Sequence, residues 1–391
     1  MDKDHVVSSE LNNLFLLEEA ITYLNHGSYG ACPKPVFDNY QNWQRKLEAE
    51  PVRFITEEGP MLLDKSKEAL GEYIGCSSDD LVYTTNPTYA INIIVKSLDL
   101  SAGDEILTTD HEYGAMNRTW DYYCQKKGAK VIRQKILLPV TSKEQVITQF
   151  FKGLSSKTKA IFISHITSPT ALIFPVEEIC ERAKELGLLT IVDGAHVPGH
   201  IPLDLFTLKA DIYTGACHKW MLAPKGCAFL YVRKDIQDQF DPLLISWGYQ
   251  SDNPGPSRFL DYHQMQGTRD FSAFLTMPAA IEFLKKHNWN EVAKSCRELI
   301  RKYYPILCEK MQTEPICSVD ETLIGQMCTI PINININEVD KLKKDLMVKY
   351  KIEIPVISFN NQSYVRLSLN AYNSKKDIDH LSVALGELIP K

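Results

Sequence analysis

The chain has 391 residues, of which 44% are hydrophobic and 24% are charged, so it is long enough to bury a large core and to form two domains. Its net charge of -6 and pI near 6.0 indicate no basic face, and no dense Lys/Arg run is interleaved with aromatic residues. These properties argue against a nucleic-acid partner.

The N-terminal segment, residues 1–20, lacks the basic start, apolar block and small-residue cleavage site of a secretory signal. No uninterrupted apolar stretch approaches the ~20 residues of a membrane span. We therefore expect a cytoplasmic protein with no membrane partner. The ten cysteines include no CxxC pair, which argues against a zinc knuckle or dithiol redox motif and favours buried, reduced thiols.

Short β-rich runs alternate with helical patterns from about residue 80 to residue 232, which predicts an α/β fold with a mostly parallel sheet covered by helices. The runs are LVYTT, EILTT, VIRQKIL, KAIFISH, LLTIVD, DIYTG and GCAFLYV. The segment PVEEICERAKELG predicts one crossover helix, with an apolar stripe, acidic residues in its first turn and Gly187 at its end.

The pattern changes after about residue 255 to a Gly/Pro-rich loop, long amphipathic helices and two further β-rich runs, which predicts a smaller α+β domain. We expect an N-terminal arm over residues 1–25 that packs with this domain, a large domain over 26–260 and the small domain over 261–391. In parallel α/β sheets ligands bind beyond the carboxyl ends of the strands, so polar residues at those ends are the candidates for a site.

Three strand ends carry residues that could act in a functional site, and each also has a purely structural interpretation. Asn86 and Pro87 open a helix whose first turn, with Thr88, could bind a phosphate or could simply start a core helix. Asp193 ends an apolar strand, where it could cap a helix or hold a proton on a heteroaromatic nitrogen. Lys219 could be a surface lysine lying over apolar neighbours, or a desolvated amine that forms a Schiff base with an aldehyde.

Two other patterns are weaker. His196 and His200 have the spacing of a metal pair on a helix, but Pro198 and Gly199 between them break such a helix, so no metal site is expected. A dinucleotide-binding domain is disfavoured because no GxGxxG run follows an early strand.

The ordered motifs NPTYA, DHEYGAM, SHITSPT, DGAH, CHKW, QGTRD and VRLSLNAYN resemble those of the class V aminotransferase family of pyridoxal-5'-phosphate enzymes. The likeness is greatest to its isopenicillin N epimerase-like and cysteine desulfhydrase-like branch, and it runs from YLNHGSYG at residue 23 to residue 374. The resemblance implies pyridoxal-phosphate fold type I, with a seven-stranded sheet in the large domain, and a homodimer with active sites at the subunit interface.

The resemblance also implies residue roles. Lys219 is identified as the Schiff-base lysine, Asp193 as the partner of the pyridine nitrogen, and His196, with Ser168 as the weaker candidate, as the partner of the phenolic oxygen. Residues expected to hold the phosphate are Thr88, Tyr89, His218 and, across the subunit interface, Thr268. Tyr113 is the expected ring-stacking residue, with His111 as the alternative. The residues expected at the substrate are Arg366, which would bind its α-carboxylate, and Asn25, His26 and Arg53 at the entrance.

Departures from the family pattern affect two turns and the expected chemistry. Ala171 stands where relatives often have glycine, and Ala216 and Cys217 stand where relatives can place a polar group near the phosphate. The stretch KYKIEIPVISFNNQSYV before Arg366 contains no cysteine, which disfavours a sulfur-carrier desulfurase. The resemblance therefore implies β-elimination on cysteine, cystine or an S-substituted derivative, with amino-acid epimerisation, transamination and a non-catalytic scaffold as alternatives.

Overall fold

The computed structural model describes residues 9–389, with side chains from residue 11 onward. Residues 1–8 of the predicted N-terminal arm and residues 390 and 391 lie outside the described part. The strands, β1 to β12 in chain order, are Thr22–Tyr23, Leu81–Thr84, Glu105–Thr109, Lys130–Gln134, Thr158–Ser164, Leu189–Asp193, Ile212–Ala216, Ala228–Val232, Met327–Ile332, Ile352–Glu353, Val356–Phe359 and Gln362–Ser368.

The helices, α1 to α16, are Ser9–Asn12, His26–Tyr29, Lys34–Ala49, Pro51–Arg53, Gly59–Ile74, Pro87–Ser97, Gly114–Lys127, Lys143–Phe150, Val176–Glu185, Leu205–Leu208, Arg258–Gln264, Ser272–Leu275, Met277–Lys286, Trp289–Lys310, Val339–Tyr350 and Lys375–Leu388. Short 3-10 turns cover Ser78–Asp80, Phe151–Gly153, Lys234–Gln239 and Ile336–Glu338, and a π-helical turn covers Phe54–Glu58.

A seven-stranded sheet with the order β2-β8-β7-β6-β5-β3-β4 forms the centre of the molecule. Only β8 runs antiparallel to its neighbours within this sheet, so the predicted mostly parallel sheet is confirmed. Each of the seven predicted runs supplies one strand. The predicted crossover helix is confirmed as α9, which has Glu177 and Glu178 in its first turn and is followed by Gly187 with φ 68°.

Alternate residues of the central strands contribute to two separate apolar clusters, one on each face of the sheet. Ile106, Phe162 and Ile191 belong to one cluster, whereas the next residues along, Leu107, Ile163 and Val192, belong to the other. Side chains of a strand point alternately to opposite faces, so strands of continuous β-branched and aromatic residues are suited to a sheet that is buried on both sides. The helices therefore cover both faces, as the sequence predicted.

Residues 327–388 contain an antiparallel sheet with the order β11-β12-β9, which packs against α14 and α15, and α16 packs against these two helices. The N-terminal segment reaches this part of the chain, because β1 pairs with β10 and the Ser368 hydroxyl donates to the Leu24 carbonyl at 3.1 Å. These contacts tie the two ends of the described chain together. The domain boundaries predicted at residues 25/26 and 260/261 stay predictions.

All ten cysteines are free thiols and nine of them are buried, with Cys32 half-buried, as the sequence predicted. Burial raises the pKa of most of these thiols, to about 12 for Cys76 and Cys296 among others, so they carry no reactive thiolate at neutral pH. Over residues 9–389, no helix combines the length and the apolar character that crossing a bilayer requires.

Ala171 occupies the turn that follows β5, with φ 57°. The Ala171 N–H donates to the Thr167 carbonyl at 3.0 Å, and the Leu172 N–H donates to the Thr167 hydroxyl at 2.9 Å, which hold the turn closed. Alanine in this left-handed region is strained because its Cβ crowds the following carbonyl. The turn is thus the one that glycine would favour, although the chain has alanine there.

We expect Ala171→Gly to raise the free energy of unfolding by ~1 kcal/mol, because the left-handed conformation carries no Cβ strain in glycine. Urea denaturation of the variant and the parent measures this change. The control is Ala69→Gly in the middle of α5, which should lower the free energy of unfolding by about 0.5–1 kcal/mol. A loss of stability in Ala171→Gly would show that the turn is not strained.

Candidate active site

A cavity of about 440 Å³ lies at the carboxyl edge of the central sheet, where β2, β5, β6 and β7 end. The residues that line it come from these strand ends, from the loop after β3 and from α2. They are Ser28, Tyr29, Asn86, Pro87, Thr88, Tyr113, Met116, Ser164, Ile166, Ser168, Asp193, Ala195, His196, His218 and Lys219. We call this the cofactor cavity.

Lys219 lies in the turn after β7, and its Nζ is 3.2 Å from His196 Nε2. Burial lowers the pKa of the Lys219 amine to about 7, assisted by the positive charge of Arg366 and opposed by the carboxylate of Asp193. A large fraction of this amine is therefore unprotonated at neutral pH, as a nucleophile or base must be.

The tautomer of His196 is set by its other neighbour. Trp220 Nε1 lies 3.5 Å from His196 Nδ1 and donates a long hydrogen bond to it. Burial, with the charge of Lys219, lowers the pKa of His196 well below its ordinary value, so the ring is neutral and carries its proton on Nε2. His196 therefore presents an N–H donor to the cofactor cavity.

Asp193 ends β6 and is only 4% exposed. Its Oδ1 accepts a hydrogen bond from the Ala195 N–H at 2.9 Å, and burial raises the pKa of the carboxyl. A buried carboxyl on a cavity wall is suited to a partner that shares a proton with it, such as a protonated ring nitrogen.

The start of α6 and His218 also line the cofactor cavity. Asn86 is confirmed as the N-cap of α6, since its side chain accepts from the Tyr89 N–H at 2.9 Å, and Pro87 opens the helix. His218 Nδ1 donates to the Cys227 carbonyl at 3.1 Å, and burial lowers the pKa of the ring to about 4. The helix N-terminus and the Thr88 hydroxyl form a region suited to an anion, and the neutral ring of His218 lies beside them in the cavity lining.

A second cavity of about 460 Å³ adjoins the first and shares Ser28, Tyr29, Tyr113, Ser168, His196 and Lys219 with it. We call it the substrate cavity, because Arg366 lines it. The Arg366 guanidinium donates to the Ser168 carbonyl at 2.6 Å and to the Ser28 hydroxyl at 3.0 Å. Burial lowers the pKa of Arg366 to about 10, so it stays a cation at neutral pH and can pair with a carboxylate.

Of the predicted site residues, eight line one or both of these cavities. They are Thr88, Tyr113, Ser168, Asp193, His196, His218, Lys219 and Arg366. Both cavities include Tyr113, which is 47% exposed. Its alternative, His111, is fully buried, with its ring nitrogens 2.7 Å from the Thr170 hydroxyl and 3.0 Å from the Ile136 carbonyl. Of these two candidates, only Tyr113 can meet a ring in the cofactor cavity.

The structure places five predicted residues outside both cavities. His26 lies behind Lys219 rather than at the entrance, because its ring packs on Trp220 and its Nδ1 is 2.7 Å from the Tyr372 hydroxyl. Asn25 is also buried, where its amide donates to Glu353 at 2.9 Å. Tyr89 packs against the core with its hydroxyl unpaired.

Arg53 and Thr268 are the remaining two, and both lie on the surface. Arg53 is 57% exposed and forms an ion pair with Glu58 at 2.8 Å, and Thr268 is exposed in the loop after α11. The predicted contact of Thr268 with the phosphate site of a neighbouring subunit, and with it the homodimer, stay predictions.

His200, the other member of the pair considered for a metal, uses both ring nitrogens within the protein. Its Nδ1 donates to the His196 carbonyl at 2.9 Å, and its Nε2 accepts from the Gln326 N–H at 2.5 Å. Over residues 9–389, no cluster of three or more potential metal ligands occurs.

Glu112, inside the motif DHEYGAM, lines the substrate cavity although its residue type and spacing did not mark it as a site residue. Its carboxyl lines the substrate cavity and accepts hydrogen bonds from Thr109 at 2.6 Å and Ser164 at 2.5 Å. Burial raises the pKa of Glu112 to about 7, so it can carry a proton at neutral pH. The sequence signal was the position of Glu112 between the two ring-stacking candidates at the end of β3.

The residues that line the cofactor cavity fit pyridoxal 5'-phosphate. They include a helix N-terminus, a buried carboxyl, an amine with a pKa of about 7 and an N–H donor. These are the groups that a phosphate, a pyridine nitrogen, an aldehyde and a phenolic oxygen require. Ala216 and Cys217, which stand where relatives can place a polar group near the phosphate, are not among the residues that line the cavity.

Comparison with known proteins gives the same assignment. The family model for aminotransferase class-V matches residues 22–381. The chain is 33% identical to isopenicillin N epimerase of Amycolatopsis lactamdurans over 95% of this chain and 96% of that protein. It is 26% identical to a probable chloroplastic L-cysteine desulfhydrase of Arabidopsis thaliana over 99% of this chain and 87% of that protein.

Among solved structures, the apo cysteine desulfurase of Thermococcus onnurineus NA1 has a TM-score of 0.80 at 18% identity and covers 98% of both chains. The fold is therefore pyridoxal-phosphate fold type I, as the motifs implied. With a family match over nearly its whole length, a fold of that type and a cavity that fits the cofactor, the chain belongs to the class V aminotransferases and is a pyridoxal-phosphate-dependent enzyme.

Proposed function

We propose that the enzyme catalyses β-elimination at the α-carbon of cysteine, cystine or an S-substituted cysteine derivative. The observation that carries this proposal is the position of Lys219 where the cofactor and substrate cavities meet. In the described part of the chain it is the one lysine that lines either cavity, and its pKa of about 7 makes it a base at neutral pH. Elimination needs one base at the α-carbon, and Lys219 meets that need.

Pyridoxal 5'-phosphate supplies, when bound, the electron sink that acidifies the α-carbon. Asp193 would hold a proton at the ring nitrogen, and His196 would donate its Nε2–H to the phenolic oxygen. Arg366 would hold the α-carboxylate, so the α-proton is directed toward Lys219. The Cα–H bond breaks toward the Lys219 amine, and the Cβ–S bond breaks with its electron pair leaving on sulfur. The sulfur leaves as a thiol, or as a persulfide when cystine is the substrate, and the remaining aminoacrylate is released and hydrolysed by water to pyruvate and ammonia.

The residues around the substrate cavity favour release of the sulfur as a free product. In residues 349–365, which contain β10 and β11, no cysteine is present, and no cysteine is among the residues that line either cavity. A persulfide carried on the protein would need a thiol near the leaving group. The absence of such a thiol from the two linings supports a C–S lyase rather than a sulfur-carrier desulfurase.

Epimerisation is the second candidate, and a specific observation favours it. Reprotonation on the opposite side of the α-carbon needs a second proton donor in the substrate cavity, and Tyr113 and Glu112 both line that cavity. The identity of 33% to an isopenicillin N epimerase agrees with this alternative. His111 and His26 are buried outside both cavities, so neither is placed to act as this second donor.

The reaction type is tested by incubating the holoenzyme with L-cysteine, L-cystine and S-methylcysteine sulfoxide and assaying pyruvate and ammonia. We expect both products in equal amounts. Keto acid without ammonia, formed only when a second α-keto acid is added as amino acceptor, would indicate transamination instead. If neither product forms, but the α-hydrogen of an amino acid exchanges in deuterated water with loss of chirality, the enzyme is an epimerase.

Lys219→Ala should lower kcat by at least about a thousandfold, because no other lysine lines either cavity and could replace the amine. The parent holoenzyme should be yellow and keep its cofactor covalently after borohydride reduction. Mass spectrometry of the reduced protein should place the added mass on the peptide that contains Lys219. The variant should show no covalent adduct at this peptide, and an adduct on another lysine would refute the assignment.

The rate at which apoprotein reacts with added pyridoxal phosphate should follow the fraction of unprotonated Lys219. The pKa of Lys219 is about 7, and below it the unprotonated fraction rises about tenfold per pH unit. The rate should therefore rise up to about pH 7 and reach a plateau above it. Arg366→Met removes a positive charge that lowers the pKa of Lys219, so the level region should begin at a higher pH. Absorbance of the coloured adduct measures the rate.

The matched control for that pH shift is Arg45→Met, which removes an exposed arginine on α3. Its pH profile should coincide with that of the parent. An unchanged profile in Arg366→Met would show that the charge of Arg366 does not act on Lys219.

A further inference from the structure

The substrate cavity has a part, which we call the distal part, that is lined by residues other than Arg366 and Lys219. Its wall is formed by the loop after β3 and by the β11–β12 hairpin, with Asp110, Glu112, Tyr113 and Phe359 among its residues. A substrate whose carboxylate pairs with Arg366 has room for its side chain there. The chemistry of this wall therefore bears on which side chain is accepted, provided that the proposed function holds.

Asp110 is the charged group of the distal wall that has no cationic partner. Its Oδ1 accepts from the Ile136 N–H at 3.0 Å and its Oδ2 accepts from the Asn360 amide at 2.9 Å. Over residues 9–389, its one basic neighbour within 4 Å is His111, at 3.6 Å, and burial lowers the pKa of that ring, so His111 is neutral. The carboxylate is 15% exposed on the cavity wall, and its charge is not neutralised.

The remaining charges around the cavity do not balance Asp110. Glu112 accepts two hydroxyl hydrogen bonds and adds a further partial negative charge, since its pKa is about 7. Arg133 reaches Asn117 on the cavity wall, but it forms an ion pair with Asp121 at 2.7 Å. Once the α-carboxylate of a substrate pairs with Arg366, the distal wall is net negative.

Arg366 gives independent evidence that this cavity takes a ligand. The side chain is 6% exposed and lines the cavity, and its buried Nε has no hydrogen-bond partner. A buried guanidinium without a carboxylate partner is costly unless a ligand supplies one. A substrate carboxylate would thus pair with Arg366, in the same cavity that Asp110 lines.

We infer that the preferred substrate carries a cationic group at the end of its side chain, bound by the Asp110 carboxylate beside the rings of Tyr113 and Phe359. This inference rests on the proposed function and names the substrate class within it. The aromatic faces add to the attraction, because a cation near a ring face interacts favourably with its quadrupole. An anionic side chain of the same length is repelled by Asp110 and Glu112.

The test compares three S-substituted cysteines of similar length whose terminal groups differ in charge. They are S-(2-aminoethyl)cysteine, S-propylcysteine and S-carboxymethylcysteine. We expect kcat/KM for release of pyruvate by the holoenzyme to be highest for the aminoethyl compound, lower by about tenfold for the propyl compound and lowest for the carboxymethyl compound. Equal values, or the reverse order, would overturn the inference.

Asp110→Asn removes the charge and keeps an oxygen that can accept from the Ile136 N–H. In this variant the ratio of aminoethyl to propyl kcat/KM should fall by about tenfold. The matched control is Asp38→Asn on the exposed face of α3, in which the ratio should not change. A ratio that is unchanged in Asp110→Asn would refute the role of Asp110.

Binding of compounds without a Cβ–S bond separates this inference from the proposed reaction. Calorimetry should show that the parent holoenzyme binds L-lysine about tenfold more tightly than its neutral isostere 2-aminoheptanoate. If lysine binds better but no thioether is eliminated, the charge preference holds and the proposed reaction is wrong. If all three thioethers are eliminated at equal rates, the proposed reaction holds and the charge preference is wrong.

Discussion

The burial of one amine determines much of the chemistry that this fold can perform. Lys219 lies where the two cavities meet, and removal from water makes its charged form unfavourable, so its pKa falls to about 7. Arg366 strengthens this effect and Asp193 weakens it. The surrounding residues consequently hold a lysine in the form that reacts with an aldehyde at neutral pH, whereas an exposed lysine is almost fully protonated there.

The same environment requires the neighbouring groups to be neutral or paired. His196 cannot become a cation beside Lys219, and the Trp220 indole directs the proton of His196 toward the cavity. Arg366 keeps its charge because its pKa, although lowered by burial to about 10, stays above neutral pH, and Ser168 and Ser28 accept hydrogen bonds from it. These contacts hold the guanidinium in place before a carboxylate arrives, which reduces the conformational entropy lost on binding.

The strands, the crossover helix and the Asn86 cap could be predicted because each depends on nearby residues: the period of apolar side chains, capping chemistry and glycine at a helix end. The chain order of motifs also indicated that Asp193, His196, Lys219 and Arg366 meet. The direction of a side chain could not be predicted in this way. His26 turns toward Tyr372, 346 positions away, and His111 toward Thr170, 59 positions away. Glu112 was not selected because its proximity to Ser164 depends on the pairing of β3 with β5.

The contact between the two ends of the chain has a consequence for its synthesis. Residues 22–28 are synthesised long before their partners in β10, in β12 and at Tyr372. His26, which supports the backbone of Lys219 from behind, therefore has no partner at residue 372 until that residue has been made. The central sheet can fold during elongation, but a competent reaction centre is assembled only after the ribosome has released the C-terminal strands.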